Sequence, residues 1–191
     1  MFLSDVDIKK EIRNGRITLR PFDEAQLQPV SYDIKLGNKF VVNQEHKTYF
    51  IDPVRKIYPK MREIEVKDDA EFALHPGMSV IAVSKEYFGS DHFLIQISGK
   101  SSLARVGLMI HNTAGIINPG HFLKVTLELS NQNNVPIIIR PSMSIAQLMF
   151  SMLSSPPAQS YKQVGRFAKD NWQHFTSEKK NTAAKRKLSR S

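Results

Sequence analysis

The sequence contains no cysteine. This absence excludes disulfides, thiol nucleophiles, iron–sulfur clusters and every zinc site that uses a cysteine ligand. The sequence also lacks any apolar run near the roughly 18 residues that would span a bilayer. No basic stretch precedes an apolar segment at the start of the chain, so no signal peptide is predicted. We therefore expect a cytoplasmic protein with no membrane partner.

The composition is that of a folded globular chain with a sizeable core, since the 191 residues are 41% hydrophobic and 24% charged. Lys and Arg outnumber Asp and Glu by 27 to 18, which gives a formal net charge of +9. Residues 178–191 contribute +5 of this excess. Because no aromatic residue accompanies these cations, we interpret the tail as a disordered terminus and consider nucleic-acid binding unlikely. The remaining positive charge suits a small anionic ligand.

The chain is predicted to fold as a mainly β protein after one short helix. Residues 4–14 indicate the helix, with Ser4 as its cap and Gly15 after its end. The segments that follow are short, rich in β-branched or aromatic residues, and separated by turn formers. They are 31–36, 39–43, 70–74, 78–83, 93–97, 124–130, 135–139 and 145–153. Many short strands with turns between them favour a barrel or sandwich over a parallel α/β sheet.

Residues 99–108 concentrate groups that can bind phosphate. Two cations, two hydroxyls and two flanking glycines occur in the order Gly99, Lys100, Ser101, Ser102, Arg105 and Gly107. Arg offers a fork of donors and Lys a point charge for phosphate oxygens. The segment is not a Walker A loop, because Leu94 stands where that motif requires glycine. The residues alone leave two interpretations open, a phosphate site and a solvated loop.

A turn-rich loop over 111–120 is followed by a strand that alternates in polarity. Its apolar residues Val125, Leu127 and Leu129 face one way, and Thr126, Glu128 and Ser130 face the other. A lone acid on such a strand is usually solvated, but beside an apolar wall its pKa rises and suits acid–base work. The histidines show no metal-ligand spacing, and we favour structural roles for His111 and His121. Beyond 154–160, an extended connector, the aromatic residues of 161–175 predict a segment that docks on another surface.

The run from Gly99 to Asn131 resembles the dCTP deaminases of the trimeric dUTPase superfamily. It contains Gly-Lys-Ser-Ser-Leu-Ala-Arg, Thr-Ala-Gly and Thr-Leu-Glu-Leu-Ser-Asn, and further matching segments lie at 3–8, 29–37, 74–77, 141–147 and 161–173. The resemblance implies a dUTPase-like distorted β-barrel or jelly roll with a short N-terminal helix and an extended C-terminal segment. It implies a β domain over 1–153, a segment over 154–177 that closes the active site, and a homotrimer with active sites at subunit interfaces. The basic tail, 178–191, lies outside it.

The same resemblance implies zinc-free hydrolytic deamination of dCTP to dUTP and ammonia. Glu128 would be the general base and acid, Ser101 and the carbonyl of Ala114 would hold the attacking water, and Arg105 would steer Glu128. Other substrate-binding positions would be Lys100, Ser102, Leu103, Ala104, Asn118, Thr126, Leu127, Tyr161, Lys169 and Gln173. Magnesium would be carried by the triphosphate without a protein metal site, and dTTP is a plausible inhibitor. The lack of cysteine agrees, because zinc deaminases use cysteine ligands, whereas one glutamate can move both protons.

Four residues depart from the family pattern. Asn118 replaces an Asp near the deoxyribose, Ser98 an acid, Leu123 a glycine and Asp170 an aromatic residue. The change at Asn118 disfavours dUTP hydrolysis, whereas residues 113–116 resemble bifunctional members that release dUMP and pyrophosphate. We therefore predict dUTP as the product and keep two alternatives. One is the bifunctional enzyme, and the other is a catalytically silent nucleotide-binding sensor.

Overall fold

The computed structural model describes residues 1–44, 49–55 and 57–168, and it begins with helix α1 (Asp5–Arg13). The backbone N–H of Asp7 donates to the Ser4 hydroxyl at 3.4 Å, so Ser4 is the predicted cap. Ile8 is fully buried on the inner face of the helix. The helix ends at Arg13 with Asn14 as its C-cap, and Gly15 follows with a φ of 72°. The helix prediction is confirmed.

The described residues form twelve strands, two further short α-helices and one 3₁₀ helix (Glu24–Gln26). The strands are β1 (Thr18–Arg20), β2 (Leu27–Gln28), β3 (Ser31–Asn43), β4 (Met61–Glu65), β5 (Phe72–Leu74), β6 (Ser79–Gly89), β7 (Phe93–Gly99), β8 (Leu108–Met109), β9 (Ile116–Ile117), β10 (Leu123–Asn131), β11 (Ile137–Ile139) and β12 (Ser144–Met152). The α-helices are α2 (Ser101–Ala104) and α3 (Tyr161–Val164). None of the helices in this described part is long and apolar enough to cross a membrane.

Ten of these strands form one antiparallel sheet in the order β8-β10-β6-β3-β12-β7-β9, with β1 beside β6 and β2 and β4 beside β3. Strands β5 and β11 form a separate two-stranded sheet. The β12–β7 ladder ends where Ala146 pairs with Gly99, so the predicted phosphate-binding segment, residues 99–108, begins at the end of a strand. Strand β10 pairs with β6 over most of its length, which fixes the strand that carries Glu128 inside the sheet. The mainly β prediction is confirmed.

The hydrophobic core lies against the inner face of the curled sheet. Its largest members, Tyr32, Phe40, Phe88 and Phe150, are fully buried. Leu127 and Leu129 of β10 join this core, whereas Thr126 and Glu128 of the same strand are only half-buried on the opposite face. The predicted alternation is therefore present from Thr126 to Leu129, whereas Ser130 is buried.

The strand predictions differ from the structure in several places: β1, β2, β4, β8 and β9 were not predicted, and β5 and β11 are shorter than predicted. The largest differences are at β3 and β6. The segments 31–36 and 39–43 are one strand, because Gly37 lies where the β6 backbone approaches closely rather than in a turn. A Cβ at Gly37 would lie 2.7 Å from the carbonyl oxygen of Val83. Strand β6 runs six residues past the predicted end, since Glu86 is buried there and its carboxylate accepts hydrogen bonds from the Lys35 N–H at 2.8 Å and from the Gln26 amide. At this end of β6 the buried polar side chain is stabilised by hydrogen bonds, so the strand lacks the alternation of apolar and polar residues by which strands are predicted.

Candidate active site

A cavity of about 260 Å³ opens beside β10. It is lined by Ala114, Ile116, Ile117, Asn118, His121, Leu123, Val125, Thr126, Glu128, Tyr161 and Phe167. Most of these side chains are apolar or aromatic. Glu128 is the one carboxylate among the described residues that line the cavity. The arrangement is that of a small ligand pocket, in which a few polar groups stand against apolar walls.

The backbone of Glu128 pairs with Ile81 of β6, which fixes the position of Glu128 in the cavity wall. Burial raises the pKa of the Glu128 carboxyl above its usual range. Hydrogen bonds from the backbone N–H groups of Asn112 and of Glu128 itself, and the nearby charge of His111, oppose this effect only in part. A raised pKa makes a carboxylate a stronger base, which favours its accepting a proton during a reaction and returning it later.

Two polar atoms close to Glu128 are buried and have no hydrogen-bond partner among the described residues. They are the hydroxyl oxygen of Thr126 and Nδ1 of His111. Leaving such atoms unpaired costs free energy, and native proteins usually pair them with protein, water or ligand. Thr126 lines the cavity, and His111 packs against Gly115 at its edge. Both can serve a bound ligand, and His111 was not among the predicted site residues.

The C-terminal segment covers one side of the cavity. The Tyr161 ring stacks on His121 with a centroid distance of 4.2 Å, and the Tyr161 N–H donates to the carbonyl of Pro119 at 3.2 Å. Nζ of Lys162 contacts both carboxylate oxygens of Asp91, at 3.0 and 3.1 Å. The surface on which this segment docks is therefore the wall of the chain's own cavity. His121, which was expected to be structural only, lines the cavity and supports Tyr161.

The predicted phosphate segment lies elsewhere on the surface of the single chain. Ser101, Ser102, Ala104 and Arg105 are exposed on or next to α2, Leu103 is half-buried, and none of residues 100–105 lines the Glu128 cavity. Arg105 makes no ion pair with any residue in the described ranges. The predicted contact between Arg105 and Glu128 is consequently not formed within one chain.

A buried acid joins this second cluster. The ammonium of Lys100 pairs with one oxygen of Asp33, a residue that is 7% exposed. The other oxygen of Asp33 is buried without a described partner. Beside them, the amide of Gln147 donates to the Gly99 carbonyl and accepts from Ser31, both at 3.3 Å. Asp33 was not among the predicted site residues, although an acid inside the predicted strand 31–36 was a usable signal.

The remaining predicted positions fall into two groups. The side chain of Leu127 is fully buried in the core, which leaves only its main chain for contact with a ligand. Lys169 and Gln173 lie outside the described residues, as does Asp170. Phe167 lines the cavity but was not predicted, because its aromatic ring was the only signal in a polar segment. No group of three or more His, Asp or Glu side chains able to hold a metal ion occurs in the described ranges.

Comparisons with known proteins agree with this architecture. A family model described as "dCTP deaminase-like" matches residues 2–153. Relatives named "dCTP deaminase, dUMP-forming" include those of Beutenbergia cavernae, 45% identical over 162 residues and 84% of each chain, and Streptomyces coelicolor, 43% identical over 84% of this chain and 85% of the relative. That of Acidothermus cellulolyticus is 40% identical over 92% of this chain and 97% of the relative.

A solved structure also shares the fold. The crystal structure of 2'-deoxycytidine 5'-triphosphate deaminase from Agrobacterium tumefaciens superposes with a TM-score of 0.62 at 20% identity. The match covers 80% of this chain, which spans about half (46%) of that longer chain. The likeness confirms the predicted fold class. Together with the family match over residues 2–153, it leads to one conclusion: the chain belongs to the dCTP deaminase-like family.

Proposed function

We propose that the protein deaminates dCTP and then hydrolyses the resulting dUTP to dUMP and pyrophosphate. The observation that carries the deaminase step is the single carboxylate of Glu128, with its pKa raised by burial, in a small apolar cavity. The second step is supported by relatives 40 to 45% identical whose names state that they form dUMP. These relatives favour the bifunctional alternative over the dUTP product that the sequence suggested.

In the deamination, Glu128 removes a proton from a water molecule that attacks C4 of the cytosine ring. The carbonyl of Ala114, which lines the same cavity, holds this water. The new C4–O bond forms as the C4=N3 electrons move to N3, which takes the proton from Glu128. Glu128 then removes the remaining proton of the attacking oxygen and delivers it to the amino group, so that C4=O forms as the C4–N bond breaks and ammonia leaves. The raised pKa lowers the cost of protonating Glu128 midway through this sequence.

The base and the sugar would occupy the Glu128 cavity. The unpaired hydroxyl of Thr126 is available to a polar group of the nucleoside, and Tyr161 and Phe167 supply apolar contact area. Asn118 lines the same cavity, which is consistent with a position near the deoxyribose. Leu127 would contribute its main chain only, since its side chain belongs to the core.

A second copy of the chain would supply the phosphate segment, residues 100–105, to each Glu128 cavity. The proposal is motivated by the exposure of Ser101, Ser102 and Arg105 and by their absence from the cavity lining. Lys169 and Gln173, in the proposed closing segment 154–177, and inhibition by dTTP stay predictions. Magnesium would travel on the phosphates. The unpaired oxygen of Asp33 beside Lys100 suits a water ligand of that ion, and Mg²⁺ commonly retains such waters.

The test is to incubate the full-length protein with dCTP and Mg²⁺ and to separate the nucleotide products over time. We expect ammonia, pyrophosphate and dUMP. The variant Glu128→Gln should still bind dCTP but turn over about 10²–10⁴-fold more slowly, which is the usual contribution of general acid–base catalysis. Near-normal turnover by this variant would contradict the role of Glu128, and no conversion by the natural protein would contradict the deaminase itself.

The same assay separates the two possible end products. Accumulation of dUTP without dUMP would restrict the protein to deamination, and Asn118→Asp should then restore pyrophosphate release if the natural amide is the cause. A carboxylate can orient and activate water where an amide cannot deprotonate it. If the natural protein already forms dUMP, its Asn118 is compatible with the second reaction.

A further inference from the structure

A second cavity adjoins the first. It has a volume of about 460 Å³, and Asn118, Tyr161 and Phe167 form part of the wall of both cavities. The second cavity continues along the C-terminal segment to Val164, Gly165 and Arg166. A ligand longer than a nucleoside could therefore extend from the Glu128 cavity past Asn118 without leaving the protein surface.

The two cavities differ in charge. The described lining of the first contains the carboxylate of Glu128 and no Lys or Arg, whereas Arg166 is the one charged side chain in the described lining of the second. The Arg166 guanidinium lies 5.5 Å from the centroid of the Phe167 ring. It makes no ion pair with any residue in the described ranges, so its donors are available to an anion.

The other cation of the same segment is already paired. Lys162 contacts both oxygens of Asp91 and lies 4.6 Å from the centroid of the Phe122 ring. This ion pair fixes the start of the segment to the body of the protein, and Ser160 adds a capping box at α3. The Gly165 N–H then donates to the Tyr161 carbonyl at 2.7 Å, which sets the turn that presents Arg166.

We infer that Arg166 binds the phosphate chain of the nucleotide whose base occupies the Glu128 cavity. The inference rests on the proposed function and adds a recognition residue to it. A nucleotide has an uncharged ring at one end and a polyanion at the other. The ring fits the apolar Glu128 cavity, and the polyanion fits the adjoining cavity, where Arg166 has no ion-pair partner among the described residues. The planar guanidinium of arginine can donate to two phosphate oxygens at once, whereas the ammonium of lysine acts as a single point charge.

The experiment measures equilibrium binding in the Glu128→Gln background, where turnover does not interfere. Addition of Arg166→Gln should raise the Kd for dCTP about tenfold or more, because a hydrogen-bonded charge contact is lost. The Kd for deoxycytidine, which has no phosphate, should not change. Arg166→Lys should recover part of the affinity for dCTP, since it retains the charge. Inorganic tripolyphosphate should compete with dCTP and should compete less well after Arg166→Gln.

A matched control is Arg13→Gln, which removes an exposed arginine of α1 that lines neither cavity. It should leave both dissociation constants unchanged. Equal affinity for dCTP with and without Arg166, in a protein that binds dCTP, would overturn the inference and leave the proposed function intact. An equal loss of affinity for dCTP and deoxycytidine would also overturn it, because Arg166 would then act on the shape of the cavity. Failure of the natural protein to convert dCTP would instead count against the proposed function.

Discussion

At the scale of single residues, the surroundings of Glu128 alter the acidity of its carboxyl group. The strand places it between Leu127 and Leu129, which are fully buried, and its own side chain faces an apolar cavity. Its burial raises its pKa, and the backbone N–H groups of Asn112 and of Glu128 itself oppose this rise only in part. This environment lowers the free energy of unfolding, because the folded protein keeps the negative charge of Glu128 in a partly desolvated site.

The Glu128→Gln variant should therefore be more stable than the natural protein at neutral pH. The pKa of Glu128 is raised in the folded state, so above that pKa the folded protein carries a charge that the unfolded chain solvates better. Below the ordinary Glu pKa of about 4.3 the group is protonated in both states and the difference disappears. The stability gain of the variant should thus be present at neutral pH and shrink as the pH falls through the raised pKa.

Denaturant unfolding of both proteins from about pH 4 to about pH 8 measures this difference. Glu65→Gln, on the exposed edge strand β4, is the control and should show no comparable gain. A Glu128→Gln variant that is equally stable or less stable at neutral pH would mean that the carboxylate is better solvated than its surroundings indicate.

At the scale of elements, the corner between residues 118–122 and the C-terminal segment organises one side of the cavity. Gly120 has a φ of 87°, and a Cβ added there would collide with the hydroxyl of Ser160. The Tyr161 N–H bonds to Pro119, and the Tyr161 ring stacks on His121. The position of Tyr161 therefore depends on the absence of a side chain at residue 120.

We expect Gly120→Ala to raise the KM for dCTP as well as lower stability. The positive φ alone costs roughly 1–2 kcal/mol for a residue with a Cβ, and the collision with Ser160 additionally displaces Tyr161. Gly77→Ala is the matched control, because Gly77 also has a positive φ, of 71°, but nothing lies within 4 Å of its added Cβ. Unfolding midpoints and steady-state kinetics of both variants test this. An unchanged KM in Gly120→Ala would show that substrate binding does not depend on the position of Tyr161.

Local signals in the sequence predicted local features of the structure. The cap at Ser4, the end of α1 near Gly15 and the two faces of β10 all follow from residues within one turn or one strand. The merging of two strands at Gly37 depends on β6, which is more than 40 residues away, and the pairing of Lys162 with Asp91 joins residues 71 apart. Such contacts leave no periodic pattern in the sequence. The resemblance predicted the overall fold and placed Ala114, Asn118 and Glu128 among the site residues, and these line one cavity, but it did not indicate His121 or Phe167, which line the same cavity.

At the scale of the whole molecule, the two halves of the proposed chemistry are separated within one chain. Glu128 lies in its cavity, and the exposed segment containing Ser101 and Arg105 lies outside it. A heterologous interface that repeats around a closed ring would bring the two together between neighbouring copies. Each active site would then draw Glu128 from one copy and Arg105 from another.

Mixing two inactive variants tests this arrangement. Glu128→Gln and Arg105→Ala should each have little activity as pure proteins, and co-expression should restore a fraction of it. With equal, random assembly, about one quarter of the interfaces would pair an intact Glu128 with an intact Arg105 in a closed cyclic oligomer. Activity that stays at the level of the pure variants would place both residues in the same chain's site, or would show that Arg105 is not required there.

Strand β10 has a consequence for how the protein can change by natural selection. Leu127 and Leu129 are packed in the core, while Thr126 and Glu128 face the cavity, so the two kinds of position alternate from Thr126 to Leu129. Substitutions that repack the core at one position move the backbone that carries the carboxylate at the next. Selection for folding and selection for turnover therefore act on interleaved positions, and neither property can drift far along this strand without affecting the other.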